Sequence, residues 1–188
     1  MADAQVLADL DRALAATEAV VTGVRADQWA APTPCTELDA RGVLNHLVRG
    51  NVLFVAIIRD GPRPVPGTDH LGSDPPAAFR QAATELREAF AAPGVLEAVY
   101  QAPFGTAPGA RLAHVRVVEA LVHGWDLARA TGQPADFPED VAERALAGAR
   151  RALTTRPEGP GAPFAAEVPV PRDAPAVDRL AGFLGRPV

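Results

Sequence analysis

The chain has 188 residues, enough for one domain with a full hydrophobic core, and carries 18 basic against 23 acidic side chains for a net charge of −5. That balance, with no cluster of Lys or Arg, argues against nucleic acid or an anionic membrane as a partner. Its single cysteine, Cys35, excludes an internal disulfide and a Cys-rich zinc motif.

The chain begins Met-Ala-Asp-Ala-Gln, with acid where a signal peptide needs base, and no apolar run approaches the length of a bilayer span. A cytoplasmic protein without membrane contact is expected. Val6, Leu10, Leu14, Val20 and Val24 predict a first helix over 3–25, interrupted by Pro32 and Pro34. Thr36 followed by Asp39 has the form of a capping box and predicts a helix from there to Arg59, stopped by Asp60-Gly61-Pro62. Residues 61–72 read as a loop. Ser73-Asp74-Pro75 restarts a helix with Phe79, Ala83, Leu86 and Phe90 as its buried stripe. Residues 93–109 have no helical period and predict a long connection with a short strand at 95–100. A helix over 110–131 ends at Gly132, Pro138 opens a fifth over 138–154, and the Pro-rich stretch 157–175 is extended. Val177, Leu180, Phe183 and Leu184 predict a short closing helix. No repeat or linker divides the chain, so one domain over 1–188 is expected. Its class is all-α, an antiparallel four-helix bundle with an additional helix and an extended C-terminal tail.

The stretch Glu119-Ala-Leu-Val-His123-Gly-Trp-Asp126 carries the chemistry. Glu119 and His123 stand four residues apart, about 40° of helix rotation, so both side chains leave one face and can meet one ion. Val117, Val118, Leu121 and Val122 turn that face toward other helices. A third ligand must come from elsewhere, and His46, mid-helix beside Val43 and Leu47, is the best candidate. His114 lies nine residues before His123, about half a turn out of phase, and is excluded. His70 in the 61–72 loop is a weaker candidate. Asp126 falls within about 60° of His123 and can orient it as a second-layer carboxylate, or stand as a solvated acid near the helix end. Asn45 and Arg49 flank His46, and Arg49 can bind a substrate carboxylate or lie solvated. Trp125 reads as packing. Cys35 precedes a helix start that can lower its pKa, although a structural cysteine is the more frequent case.

Pro34-Cys35-Thr36-Glu37-Leu38-Asp39 leading into Val43-Leu44-Asn45-His46-Leu47, and His123-Gly124-Trp125-Asp126-Leu127-Ala128-Arg129-Ala130-Thr131-Gly132, resemble the actinobacterial metal-binding branch of the DinB-like superfamily, related to mycothiol-dependent maleylpyruvate isomerase. Val168-Pro169-Val170-Pro171, Ala174 to Leu180 and Gly185-Arg186 resemble that branch's C-terminal signature. The resemblance implies a DinB-type bundle holding a divalent metal, usually zinc, on His46, Glu119 and His123. Two departures stand out: Leu38 replaces the branch's usual aromatic, and the chain is too short for the isomerase's additional C-terminal domain.

Two imidazoles and one carboxylate leave at least one open position on zinc, the catalytic pattern; nickel or ferrous iron also suits the set. A thiol held there is deprotonated, and a water becomes a hydroxide. The resemblance implies mycothiol as cosubstrate, and hence an S-transferase or isomerase acting on a small electrophile. A metal-dependent hydrolase and a non-catalytic metal- or ligand-binding bundle are the alternatives. The expected partners are a small-molecule substrate and a low-molecular-weight thiol, with a homodimer left open.

Overall fold

The computed structural model describes residues 2–153 and 165–188 of the chain. Helices α1 (Ala2–Gly23), α2 (Ala40–Ile58), α3 (Pro75–Ala91) and α4 (Gly109–Thr131) form the bundle. Packing runs in a ring: α1 lies on α4, α4 on α2, α2 on α3, and α3 back on α1. The 59–74 connection joins ring neighbours, whereas 24–39 and 92–108 cross the diagonals of the ring. One core fills the ring. It contains Leu10 and Leu14 of α1, Leu44 and Leu47 of α2, Phe79, Leu86 and Phe90 of α3, and Leu112, Leu121 and Trp125 of α4, all at most 1% exposed.

Local chemistry sets the ends. Asp74 caps α3 by accepting from the Ala77 N–H at 3.0 Å, with Pro75 in the first turn. Gly132 closes α4 at φ 67°, a left-handed C-cap that costs glycine little. The start of α2 differs from the capping box predicted at Thr36. Asp39 is itself the cap, accepting from the Gly42 N–H at 2.7 Å, and Thr36 lies in the preceding turn. Both residue types cap helices well, so the pattern admits two registers and the tertiary contacts choose between them.

The connection before α4 holds a hairpin, not one strand at 95–100. β1 (Val99–Ala102) pairs antiparallel with β2 (Gly105–Pro108), while Val95 and Leu96 are buried in the turn before it. The extra strand has little apolar alternation to announce it. Helix α2 also departs from the expectation that no segment is long and apolar enough to cross a bilayer: over 19 residues its mean hydropathy reaches 1.2. Its apolar side instead faces α3 and α4 as a core helix.

Two further helices attach outside the ring, α5 (Glu139–Ala152) against α4 and α6 (Ala176–Phe183) against both α5 and α4. The Glu139 carboxylate accepts from the Ala176 N–H at 3.0 Å, so the first turn of α5 anchors the first turn of α6. The last residue of the predicted fifth helix, 154, and the first part of the predicted extended tail, 157–164, lie outside the described residues; 165–171 have no regular secondary structure, and 172–174 form a turn within the stretch expected to be extended to 175.

Candidate metal centre

Because α2 and α4 are ring neighbours, His46 meets the Glu119/His123 face. His46 Nε2 lies 3.1 Å from Glu119 Oε2, and His123 Nε2 lies 3.5 Å from the same oxygen. The two imidazole rings stand edge to face with centroids 4.9 Å apart. One donor atom from each residue falls within 4.8 Å of the others. Donors about 2.0–2.1 Å from a tetrahedral ion stand roughly 3.3–3.4 Å apart, so the set fits a divalent metal with little movement. Exposure is graded: the His123 side chain is 7% exposed, Glu119 20% and His46 39%. The centre is therefore buried on the α4 side and opens past His46.

Behind the donors sits a layer of charge. Asp126, completely buried, holds His123 Nδ1 through Oδ2 at 3.0 Å, which leaves Nε2 toward Glu119. It is the orienting carboxylate, not a solvated acid. Arg116, 2% exposed, reaches to 3.9 Å of Glu119 Oε2 and donates to Asn51 Oδ1 at 2.9 Å and to the Leu47 carbonyl at 3.3 Å. Gly50 makes room for it: a Cβ there would lie 2.6 Å from Arg116 Nη1. The Arg116 guanidinium also lies over the Phe54 ring, 5.4 Å from its centroid.

These contacts shift the titrations in opposite senses. Burial works against the Glu119 anion, but hydrogen bonds from His123 and His46 and the Arg116 charge outweigh it, so Glu119 titrates well below the usual range. Burial also works against a His123 cation, and the hydrogen bonds and charges of Asp126 and Glu119 outweigh that too, raising its pKa. Without metal, the two carboxylates flanking His123 thus favour its proton-bound form more than an ordinary site does, and a metal ion would compete with a proton for Nε2.

The remaining candidates sort clearly. Asn45 pins the loop rather than facing a substrate: it donates to the Thr68 carbonyl at 3.1 Å and accepts from the His70 N–H at 2.8 Å. Arg49, half-buried, forms no ion pair or hydrogen bond among the described residues. His70 lies outside the cluster, and its buried Nε2 has no hydrogen-bond partner among the described residues. His114 likewise stands apart, its Nε2 turned to Gly148 with no hydrogen-bond partner among the described residues. Trp125 is core, and its Nε1 donates to Asp178 at 2.6 Å.

Cys35 gains no lowered pKa, because it precedes the cap at Asp39 and burial pushes its thiol up. Its sulfur does lie within 4.8 Å of donor atoms of His123 and Asp126. That trio is no free cation site, since the Arg186 guanidinium already occupies both Asp126 oxygens, at 3.4 and 3.2 Å. Sequence reasoning gave no role to Arg116 or Arg186. For Arg116 the available signal was its place three residues before Glu119; for Arg186, sixty positions from Asp126, spacing offers none, and only its place in the C-terminal signature marks it.

A helical bundle that presents a His/Glu/His cluster between two ring-neighbour helices places the chain in the DinB-like class. Residues 10–128 match the family described as the mycothiol maleylpyruvate isomerase N-terminal domain, and the chain belongs to that family. It is 41% identical over 177 residues to uncharacterized proteins of two strains of Mycobacterium tuberculosis, spanning 94% of this chain and 95% of each relative. The crystal structure of the mycothiol-dependent maleylpyruvate isomerase superposes with a TM-score of 0.63 at 13% identity, over 77% of this chain and 68% of that one. A histidine-to-alanine mutant of the isomerase gives the same TM-score at 12% identity, with the same coverage. At that identity the likeness establishes the fold.

Proposed function

We propose that the chain binds one divalent metal, zinc by preference, on His46, Glu119 and His123, and uses it to activate a low-molecular-weight thiol of the mycothiol type for S-transfer to, or isomerisation of, a small electrophile. The observation that carries the metal reading is the donor spacing, 3.1 and 3.5 Å about one carboxylate oxygen. Family membership supports the thiol. When bound, the ion supplies the positive charge that turns a thiol into a thiolate near neutral pH.

The charge of the surrounding residues favours the same choice. Arg116 offsets Glu119 and Arg186 offsets Asp126, so with neutral imidazoles the buried side chains cancel. An ion there keeps its full charge uncompensated and is better matched by an anion than by neutral water. His46, the most exposed of the three, marks the side from which the thiol and the electrophile enter. Arg49, one turn along α2 and without a partner among the described residues, is suited to take a substrate carboxylate.

The test is a metal analysis of purified protein followed by titration of a cobalt-substituted sample with mycothiol. Sulfur-to-metal charge transfer, with release of a proton, is the expected response. No spectral change at millimolar thiol, with cobalt confirmed in place, would leave the hydrolase or the non-catalytic bundle.

A further inference from the structure

The end of the chain is folded back onto the site by a turn with a specific geometry. After α6, Gly185 takes φ 87° and donates to the Gly182 carbonyl at 2.9 Å, and the Arg186 N–H donates to the Ala181 carbonyl at 3.0 Å. The turn aims Arg186 inward. Its Nη1 donates to the Leu184 carbonyl at 3.2 Å, which fixes the plane of the guanidinium, and Nε and Nη2 fork onto the two oxygens of Asp126. Asp126 Oδ2 is shared between this fork and His123 Nδ1. Arg186 is 9% exposed and Asp126 fully buried, so the pair is largely withheld from water.

We propose that Arg186 is a positioning residue for the metal centre: by holding Asp126 as a fixed, neutralised partner, it locks His123 with Nδ1–H toward Asp126 and Nε2 toward Glu119. Without the guanidinium, the buried carboxylate has only His123 to satisfy its charge, and it either rotates away or binds a His123 proton more strongly. The first outcome frees the ring to turn Nε2 away from the metal, whereas the second leaves Nε2 in place, so a loss of zinc reads the first. The inference rests on the metal reading for its affinity measurement, and one arm of the test is independent of it.

The experiment compares Arg186→Ala, Arg186→Lys and Asp178→Ala in the full chain. Asp178 makes the other tie between α6 and α4, accepting from Trp125 Nε1 and pairing with Arg129 Nη2 at 3.6 Å. Its loss loosens α6 without touching Asp126. By chelator competition, Arg186→Ala is expected to weaken zinc about tenfold or more. Arg186→Lys should recover part of that loss, and Asp178→Ala should stay within about twofold of wild type. In the metal-free protein at fixed pH, ¹⁵N shifts of His123 should show Nδ1 bearing the proton in wild type and a redistribution in Arg186→Ala. Equal loss of zinc in Arg186→Ala and Asp178→Ala would overturn the proposal in favour of simple docking of α6. Wild-type affinity together with unchanged His123 shifts in Arg186→Ala would overturn it outright. If wild-type protein takes no zinc, the metal reading fails, and the nitrogen shifts alone decide the role of Arg186.

Discussion

His114 and His123 sit nine residues apart on α4, one partly buried and one buried, and their surroundings shift their pKa values in opposite directions. His123 has a carboxylate on each ring nitrogen, and its pKa is raised despite burial. His114 has its Nε2 buried against Gly148 with no hydrogen-bond partner among the described residues, and burial followed by repulsion from Arg151 lowers its pKa. Burial alone therefore does not make a ligand. What sets His123 apart is an acid on either side: on the proposed reading, Glu119 would share the ion while Asp126 holds the ring.

The largest expected effect breaks the comparison at its charged end. His123→Ala removes the most buried donor, and stoichiometric metal should disappear after dialysis against a chelator; a retained equivalent would refute the assignment. Asp126→Asn is the next in size. It leaves an oxygen to accept from His123 Nδ1–H but strips the charge facing Arg186, so zinc affinity should fall about 10- to 100-fold, read by chelator competition. Gly50→Ala comes third. Its methyl would crowd Arg116 Nη1 at 2.6 Å and displace a guanidinium that is buried between Asn51 and Glu119. A destabilisation of about 1–3 kcal/mol in chemical denaturation is expected, where an ordinary exposed helical glycine would gain from alanine.

Much of this contrast is legible in the chain. The half-turn between His114 and His123 separates them by arithmetic alone, and the Glu119/His123 spacing follows from the helix repeat. His46 needed the resemblance as well as its apolar neighbours, since nothing in α2 says which ring neighbour it faces. The second layer was less readable. Asp126 was left between two roles because a residue near a helix end reads as solvated until α6 and the Arg186 turn cover it. Arg116 pairs within one helix turn of Glu119, yet an arginine there reads as surface unless Gly50 is known to face it. Asn45 reads as a site residue by adjacency to His46, and only the folded loop shows it tying down Thr68 and His70.

The smallest effect sharpens the comparison through pH. Because the fold depresses the His114 pKa, the unfolded chain takes up a proton near pH 6.5 that the native chain refuses until lower pH. Its contribution therefore erodes native stability as pH falls through about 6.5, and levels off below the folded pKa. His123 in metal-free protein does the reverse. Its raised pKa contributes stability that is complete below about pH 6.5 and is lost as pH rises through the folded value. Chelator-treated His114→Ala should therefore be less stable overall, through the space left beside Gly148, and should lack the acid-side decline. Its metal content should equal that of wild type. Urea midpoints of wild type and variant at about pH 5 and pH 7, on either side of the ordinary histidine pKa of about 6.5, read the difference. A gap that is wider at the lower pH would show His114 protonated and paired in the fold, and would reverse the contrast drawn along α4.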